Sequence, residues 1–337
     1  MKSHLFKKTW LFLLATLWFT ACEIQENNPE KPCYDFTTRI LEGYNVNAIE
    51  FDRNGIAWIG TSKQGLIRYG ADGMYIYNSQ NSIISDTMII YDLDFDPEGN
   101  LWIGAEKLLE FDGNEFRIHD PAEGGERFEY IQRVKVDSRG LVWLTVCIMG
   151  GCRLMNFDGS NWELFTIESF EGCPTNFTDI FVIDRMDNTW FPLTNNSFMR
   201  LACYTGTDWR IYTDQELDIG SIFIGDLDVN SKNKICGSID YSLISNALNP
   251  GPDIFIFDGD TTNKTTYDTL YDIRSIFVDK QDNIWCINYT GGIGVFDGKE
   301  WYRNDTIFKG IELTEMEQSP DMQIWLGSRN GIYLNCR

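Results

Sequence analysis

The chain has 337 residues, is 43% hydrophobic, and carries 50 acidic against 28 basic side chains for a formal net charge of −22. A chain of this length and composition can bury the core of one large domain. Its charge argues against the classes of protein that hold nucleic acid or anionic lipid headgroups through a basic surface.

The first segment is not expected to belong to the fold. Lys2, Lys7 and Lys8 precede an apolar run of 10 residues, Trp10 to Phe19. That is about half of the roughly 20 residues a bilayer span needs, and it reads as a secretory signal. The stretch "FTAC", Phe19 to Cys22, resembles the bacterial lipobox, with Phe19 in place of the usual Leu. The resemblance implies a diacylglyceryl group on Cys22 and cleavage before it. Residues 1–21 are thus expected to be a signal peptide, 22–32 an acylated flexible tether, and 33–337 the folded domain. Such a chain is anchored to a membrane and does not span it. Glu23 follows Cys22, so no Asp retention signal is present, and the acidic tether "EIQENNPEKP" resembles surface-export signals of some Gram-negative lipoproteins. The expected location is the envelope of a Gram-negative bacterium, at the outer membrane. Removing three lysines leaves 25 − 50, a net charge of −25. The expected partners are the membrane, through the anchor, and a glycan or envelope protein, with no nucleic acid. Export also permits disulfides among the eight cysteines beyond Cys22.

From Ile49 onward one pattern recurs. "IEFDRNGIAWIGTSKQGLIRYGADGMYIYN" is followed by related copies starting at Leu93, Val134, Phe181, Leu227, Ile276 and Glu315. The aligned core position is Trp58, Trp102, Trp143, Trp190, Ile235, Trp285 and Trp325, at spacings of 40 to 50 residues. Each copy reads as four short strands, a to d. Strand a alternates apolar residues. A tight turn rich in Asp, Asn and Gly leads to strand b with its Trp. Strand c ends in an aromatic such as Tyr69, Phe111 or Phe157. An Asp-Gly turn then leads to strand d, which carries Phe116, Trp162, Trp209 or Trp301. Aromatic and β-branched runs between turn residues are strand signals. Four strands at this period make a propeller blade, and stacked blades bury the Trp row between neighbours. The expected fold is an all-β seven-bladed β-propeller. "DPEGN" after Phe95 is then the a–b turn of a blade, without the ligand ladder of a calcium loop.

The segment from Asp52 to Tyr69 resembles the two-component regulator propeller repeat, "D-x-x-G-x-x-W-I-G-T-x-x-G-L-x-R-Y". Copies two, three, six and seven match it in part, and copies four and five are degenerate. In that family the repeats often form periplasmic sensor regions of hybrid histidine kinases that respond to glycan fragments. No kinase region or second span is visible here, so the resemblance implies only the propeller and a ligand-facing surface.

The last copy stops after strand c at "GIYLNCR", and the missing strand d is expected at the other end, in "CYDFTTRI". Phe36 then stands where Trp162 and Trp301 stand. Cys33 aligns with the turn glycines Gly113, Gly159 and Gly298, and Cys336 with the Asp before them. These two cysteines occupy the corners of the one severed turn, within reach of a disulfide. The ring is thus expected to be closed by the N-terminal strand and a Cys33–Cys336 bond. A Cys147–Cys152 bond across the loop "IMGG" is expected too, with Cys173 as an alternative partner for either. Cys236 and Cys286 read as buried small hydrophobes, and Cys203 has no assigned partner.

The b–c and d–a loops vary and share one face, where binding usually resides on a rigid scaffold. The candidate ligand-binding residues there are Gln64, Lys107, Asn196, Tyr241, Tyr289 and Arg329. Aromatic, amide and charged groups around a mouth suit glycan or peptide recognition. Enzymatic motifs are absent: His119 reads as a loop cap, and there is no His cluster for a metal, no Walker-type loop and no Gly-x-Ser-x-Gly. No metal or cofactor is expected, and no catalytic residue is nominated. The preferred reading is a non-enzymatic binding, scaffold or sensor-like module. The alternative is a glycan-degrading lyase or hydrolase using carboxylates in the propeller funnel.

Overall fold

The computed structural model describes residues 32–33, 35–120, 128–148, 151–165, 176–194, 199–219, 223–240, 253–266, 273–288, 291–304 and 307–336. Among them no helix is long and apolar enough to cross a membrane. Cys22 and Cys173 lie outside the described residues, as do Asn196, Tyr241 and Tyr289.

The described strands form seven antiparallel blades. Blade 7 takes its outermost strand from the N-terminal side of the domain, β1 (Thr38–Ile40). Blade 1 is β2 (Val46–Phe51), β3 (Ala57–Thr61), β4 (Leu66–Gly70) and β5 (Gly73–Tyr77), and blade 2 is β6 (Asp92–Phe95), β7 (Leu101–Gly104), β8 (Leu108–Phe111) and β9 (Phe116–His119). Blade 3 is β10 (Tyr130–Val136), β11 (Val142–Ile148), β12 (Gly151–Phe157) and β13 (Trp162–Phe165). A two-residue strand, β14 (Asn176–Phe177), then bridges β12 to the next blade. Blade 4 is β15 (Val182–Ile183), β16 (Thr189–Thr194), β17 (Met199–Tyr204) and β18 (Trp209–Tyr212). A one-turn helix, α1 (Asp214–Leu217), follows it, closed by a Thr213/Glu216 capping box. Blade 5 is β19 (Phe223–Val229), β20 (Ile235–Asp240), β21 (Ile254–Phe257) and β22 (Thr262–Thr265), and blade 6 is β23 (Ile273–Val278), β24 (Ile284–Asn288), β25 (Ile293–Phe296) and β26 (Trp301–Asn304). Blade 7 is completed by β27 (Leu313–Gln318), β28 (Ile324–Ser328) and β29 (Gly331–Leu334).

The a–b turns explain why this sequence makes hairpins. Asp96 heads the turn "DPEGN". Its Oδ1 accepts from the Gly99 and Asn100 backbone N–H, and its Oδ2 from the Asn100 side chain and the Trp102 indole at 3.1 Å. The same indole bond recurs from Trp190 to Asp184 and from Trp285 to Asp279, each at 2.8 Å. Asp96 is therefore a turn cap whose oxygens are occupied, as the sequence reading expects. The left-handed turn position is Gly55, Gly99 and Gly140 in blades 1 to 3 but Asp187, Asn233 and Asp282 in blades 4 to 6. Glycine adopts positive φ without steric cost. The other three are held by bonds to the preceding blade: Asp187 accepts from Ser138, Asn233 from Arg185 and Asp282 from Ser231.

Seven apolar clusters hold the ring, one at each interface between successive blades. Trp102, for example, packs against Val134, Leu144 and Phe157 of blade 3, and Trp285 against Leu313 and Leu326 of blade 7. Burying one large apolar side chain contributes roughly 1.5–3 kcal/mol. One alignment needs correction. The turn from Asn230 to Lys234 has the standard length, and Ile235 pairs with Phe257 as Ile284 pairs with Phe296. The Trp slot of blade 5 is therefore Cys236, fully buried, and not Ile235. The small thiol leaves room that Ile254 fills, together with Trp301 of blade 6.

Closure follows the expected scheme. Cys336 N–H donates to the Asp35 carbonyl at 2.8 Å, as Asp297 N–H donates to Glu300 and Asp158 N–H to Asn161 across the intact turns. Phe36 is 5% exposed and sits edge-on to Trp285 and Phe308. Cys33 and Cys336 are disulfide-bonded with Cα atoms 5.8 Å apart, and Cys147 is bonded to Cys152. Cys203, Cys236 and Cys286 are free and buried. Burial pushes the Cys203 thiol up to about 12 and those of Cys236 and Cys286 up as well, so all three are inert packing groups at neutral pH.

Candidate functional site

The innermost strands β2, β6, β10, β15, β19, β23 and β27 surround one cavity of about 670 Å³ that touches every blade. Their inward side chains alternate with residues packed between blades, so charge appears at every second position. Asp92 and Asp94, Arg133 and Lys135, Asp226 and Asp228, and Glu315 and Glu317 are such pairs. Glu50 joins them electrostatically from β2.

Most of these acids have a backbone role. An innermost strand is an edge, and its unpaired N–H groups need acceptors. Asp92 and Asp94 accept from Val134 and Val136 N–H of blade 3, at 2.9 and 2.6 Å. Asp226 and Asp228 accept from Ile276 and Val278 N–H of blade 6, at 3.1 and 2.6 Å. Blade 4, whose inner strand has only two residues, is bypassed by an ion pair: Arg133 reaches from blade 3 to Asp226 of blade 5 at 3.1 Å.

The charges are strongly coupled. Burial raises the Glu50 and Glu317 carboxyls well above the usual range, with Asp94 adding to the first and Glu50 to the second. Burial likewise lifts Asp94, and it lifts Asp228 to about 6. Glu315 rises to about 8, through burial and then the neighbouring Asp92. Burial pulls the Lys135 ammonium downward, but Asp92, Asp94, Glu50 and Glu315 more than offset it and hold the charge. Asp92, at 3.9 Å, is its closest acid partner. The Glu315 carboxyl makes no hydrogen bond among the described residues.

Towards the loop face the strands carry a shared irregularity. The a–b pairing slips by one residue between Val46 and Ala48, Ile131 and Arg133, Ile224 and Asp226, Ile273 and Ser275, and Leu313 and Glu315. The inserted residues are Asn47, Gln132, Gly225, Arg274 and Thr314, and all five border the cavity. Bulges re-aim side chains in this way. Three of them tie one blade to the next: Asn47 donates to the Ile90 carbonyl, Arg274 to Leu313 and Thr314 to Val46. Beside Gln132, the rings of Tyr91 and Tyr130 stack with centroids 4.7 Å apart.

Of the six residues nominated from the sequence, Gln64, Lys107 and Arg329 are described, with mixed outcomes. Arg329 bonds Asn47 and Asn45 and pairs with Glu312 at 3.0 Å, which also meets Arg274. It therefore belongs to the mouth. Gln64 donates to the Gly43 carbonyl and accepts from Asn45 N–H, and Lys107 pairs with Asp120 at 2.6 Å. Both tie loops together within the chain. His119 is not a loop cap: it ends β9, lies between Trp102 and Phe157, and contacts Glu110 at 2.9 Å. Among the described residues no group of His, Cys, Asp and Glu is arranged to hold a metal ion. Sequence reasoning missed the bulge residues and the strand-a acids. The signal was present: "QR", "GD", "RS" and "TE" each break the alternation of strand a with two adjacent small or polar residues.

No protein-family model and no curated protein matches this chain. Solved structures match its fold. The extracellular domain of the hybrid two component system BT3049 from B. thetaiotaomicron aligns over 87% of this chain and 39% of its own, at 19% identity and a TM-score of 0.63. A streptogramin B lyase aligns over 90% of this chain and 96% of its own, at 14% identity and a TM-score of 0.62. The Niastella koreensis GH74 enzyme aligns over 87% and 52%, at 16% identity and a TM-score of 0.62. The chain thus spans about two fifths of the first of these. At such identities the likeness is one of fold.

Proposed function

We propose that this protein is an envelope-anchored binding module, scaffold or sensor-like, that takes a glycan, peptide or partner protein on the loop-side mouth of its channel. The observation that supports it best is the stacked Tyr91–Tyr130 pair, with Tyr91, Gln132 and Arg274 all lining the channel. Aromatic faces flanked by amide and guanidinium donors are the chemistry that small-molecule sites use for stacking and orientation. Four of the channel acids are engaged with backbone N–H groups of the next blade, which favours a structural lining over a reaction centre. In this reading Cys22 carries the acyl anchor, residues 22–32 are the tether, and the site is held off an outer membrane. The membrane is then one partner, and nucleic acid is not. A glycan array and a pull-down with the fragment from Cys33 to Arg337 test the binding. Loss of the captured ligand on Tyr91→Ala supports it, and capture that survives Tyr91→Ala and Arg274→Ala refutes it. Lipid labelling abolished by Cys22→Ala tests the anchor.

A second reading, a glycan-degrading lyase or hydrolase, is favoured by Glu315. Its carboxyl, lifted to about 8 in the channel, holds a proton at neutral pH as a general acid must. Turnover of any glycan that Glu315→Gln abolishes selects this reading over the first.

A further inference from the structure

A second cavity, of about 310 Å³, opens between blades 3 and 4 on the face of the a–b and c–d turns, opposite the channel mouth. We propose that it is a binding site for a single neutral hexopyranose unit. In blade 3 the oxygen of the turn Asp that could take the core indole is held by an arginine. In blades 2, 4 and 6 the turn Asp accepts the indole N–H of the core Trp. In blade 3 the equivalent oxygen, Asp137 Oδ2, instead accepts from Arg139 Nε at 3.0 Å and Nη2 at 2.5 Å. Trp143, 1% exposed, has its N–H unbonded among the described residues, as do Trp58 and Trp325, and of these three it alone borders this cavity. A buried donor without an acceptor is costly and rare.

The arrangement has a ready exchange. Arg139 is half exposed and also lines the cavity. A ligand oxygen that draws the guanidinium outward frees Asp137 Oδ2 for the Trp143 N–H. That is the bond already made in blades 2, 4 and 6. Binding then exchanges the two Arg139 bonds to Asp137 Oδ2 for a ligand bond and a Trp143 bond, and the Trp143 N–H is no longer unpaired.

The remaining lining states the ligand class. Trp162 and Tyr204 give aromatic walls, Trp162 being braced by Phe157 with centroids 4.3 Å apart. Asn156, Asp158 and Glu163 give amide and carboxylate edges. Glu163 accepts from Asn156 at 2.9 Å, and Asp158 caps its own turn through Ser160 and Asn161 N–H. An anion entering here meets two carboxylates, and a cation meets Arg139. A neutral ring with hydroxyl donors and acceptors and an apolar face meets a partner for each. The cavity is at the small end of ligand sites, about 300 Å³, so it takes one ring and not a chain.

The test is titration of the protein with D-glucose, D-galactose, D-mannose and N-acetylglucosamine, read by saturation-transfer NMR and calorimetry, with D-glucuronate as the charged counterpart. At least one neutral sugar is expected to bind and to change tryptophan emission. Arg139→Ala is expected to weaken it about tenfold or more, the worth of one charged hydrogen bond, and Trp162→Ala by about tenfold through loss of the stacking face. Tyr91→Ala, at the opposite mouth, is expected to leave it unchanged, which separates this site from the one proposed above. Arg139 is an exposed turn residue, so its variant keeps the test valid if Trp162→Ala does not fold. Binding of none of the neutral sugars, binding insensitive to both substitutions, or tighter binding of glucuronate overturns the proposal.

Discussion

Blades 6 and 7 are neighbours with the same four-stranded ladder, yet they are held together differently. Blade 6 is continuous. Its c–d turn is capped by Asp297, which accepts Lys299 and Glu300 N–H at 2.8 and 2.7 Å. Its a–b turn is capped by Asp279, which also holds the Trp285 indole, and its left-handed Asp282 bonds Ser231 of blade 5. Blade 7 is assembled from both ends of the domain. Its c–d turn is a disulfide, Ser319 replaces the capping Asp, and the Trp325 indole N–H is unbonded among the described residues. Met322 occupies the left-handed position at φ 72°, where its side chain offers no acceptor oxygen. The inner strand of blade 6 carries Ser275 and Phe277 where blade 7 carries Glu315 and Glu317. The same backbone is thus reached with different bonds: in blade 7 Gln318 accepts from Lys280 N–H of blade 6 at 2.8 Å in place of the left-handed residue, and Asn335 accepts from Ile324 N–H and donates to the Cys33 carbonyl beside the severed turn.

The difference can be broken most directly at Phe36, which packs into the interface between the two blades. Phe36→Ala is expected to destabilise the protein by about 3–5 kcal/mol, the cost of a large-to-small change in a packed core. Urea unfolding followed by tryptophan fluorescence measures it. Cys33→Ser is expected to cost about 2–5 kcal/mol. Hydrogen exchange in that variant should rise first in 35–40 and 331–336, while blade 6 stays protected. Equal fraying of both blades would mean that the disulfide is not what fixes blade 7.

Titration sharpens the contrast. Glu315 has an ordinary value of 4.5 and a folded value of about 8. Between those values the folded state keeps a proton that the unfolded state has lost, so this group's stabilisation is complete below about 4.5 and is lost as pH rises through about 8. Glu315→Gln removes that dependence. Its melting temperature relative to wild type should climb from pH 5 to pH 9, and a flat difference would contradict the assignment. The smallest effect is at the a–b turns. Met322→Gly is expected to stabilise by about 0.5–1 kcal/mol, because relief of left-handed strain exceeds the added entropy of the unfolded chain. Asp282→Gly should destabilise instead, since it removes the acceptor for Ser231 at 2.7 Å. Paired thermal melts of the two variants decide this.

The propeller was legible because its grammar is local. Turn residues, the Trp and the closing aromatic fall at fixed offsets in each copy, and even the severed turn could be aligned from Phe36, Cys33 and Cys336. The error at Ile235 arose where the Trp itself was missing and only the turn length could set the register. The channel was less legible. Asp92 and Asp94 look like one strand's polar face until ring closure shows which N–H groups they meet. Lys135 acquires its meaning only among acids drawn from blades 1, 2 and 7. Three of the nominated mouth residues, Asn196, Tyr241 and Tyr289, lie outside the described residues, so the loop rim is defined here by Arg329 and the bulges. The Trp143 site could not be read from spacing at all, because it depends on which of two donors wins Asp137.

The Cys33–Cys336 link also sets how the protein bears load. A pull applied at residue 32 meets the disulfide one residue later, before it reaches β1. The tension passes directly into the C-terminal end of β29, and from there along a closed covalent loop. Without the link, the same pull would peel β1 from β29 one pair at a time, from Thr38↔Leu334 to Ile40↔Ile332, the weakest geometry for a sheet. With it, those pairs are not in the path of the force. An oxidised domain should therefore resist extraction by its N-terminal end far better than a reduced one of equal thermal stability.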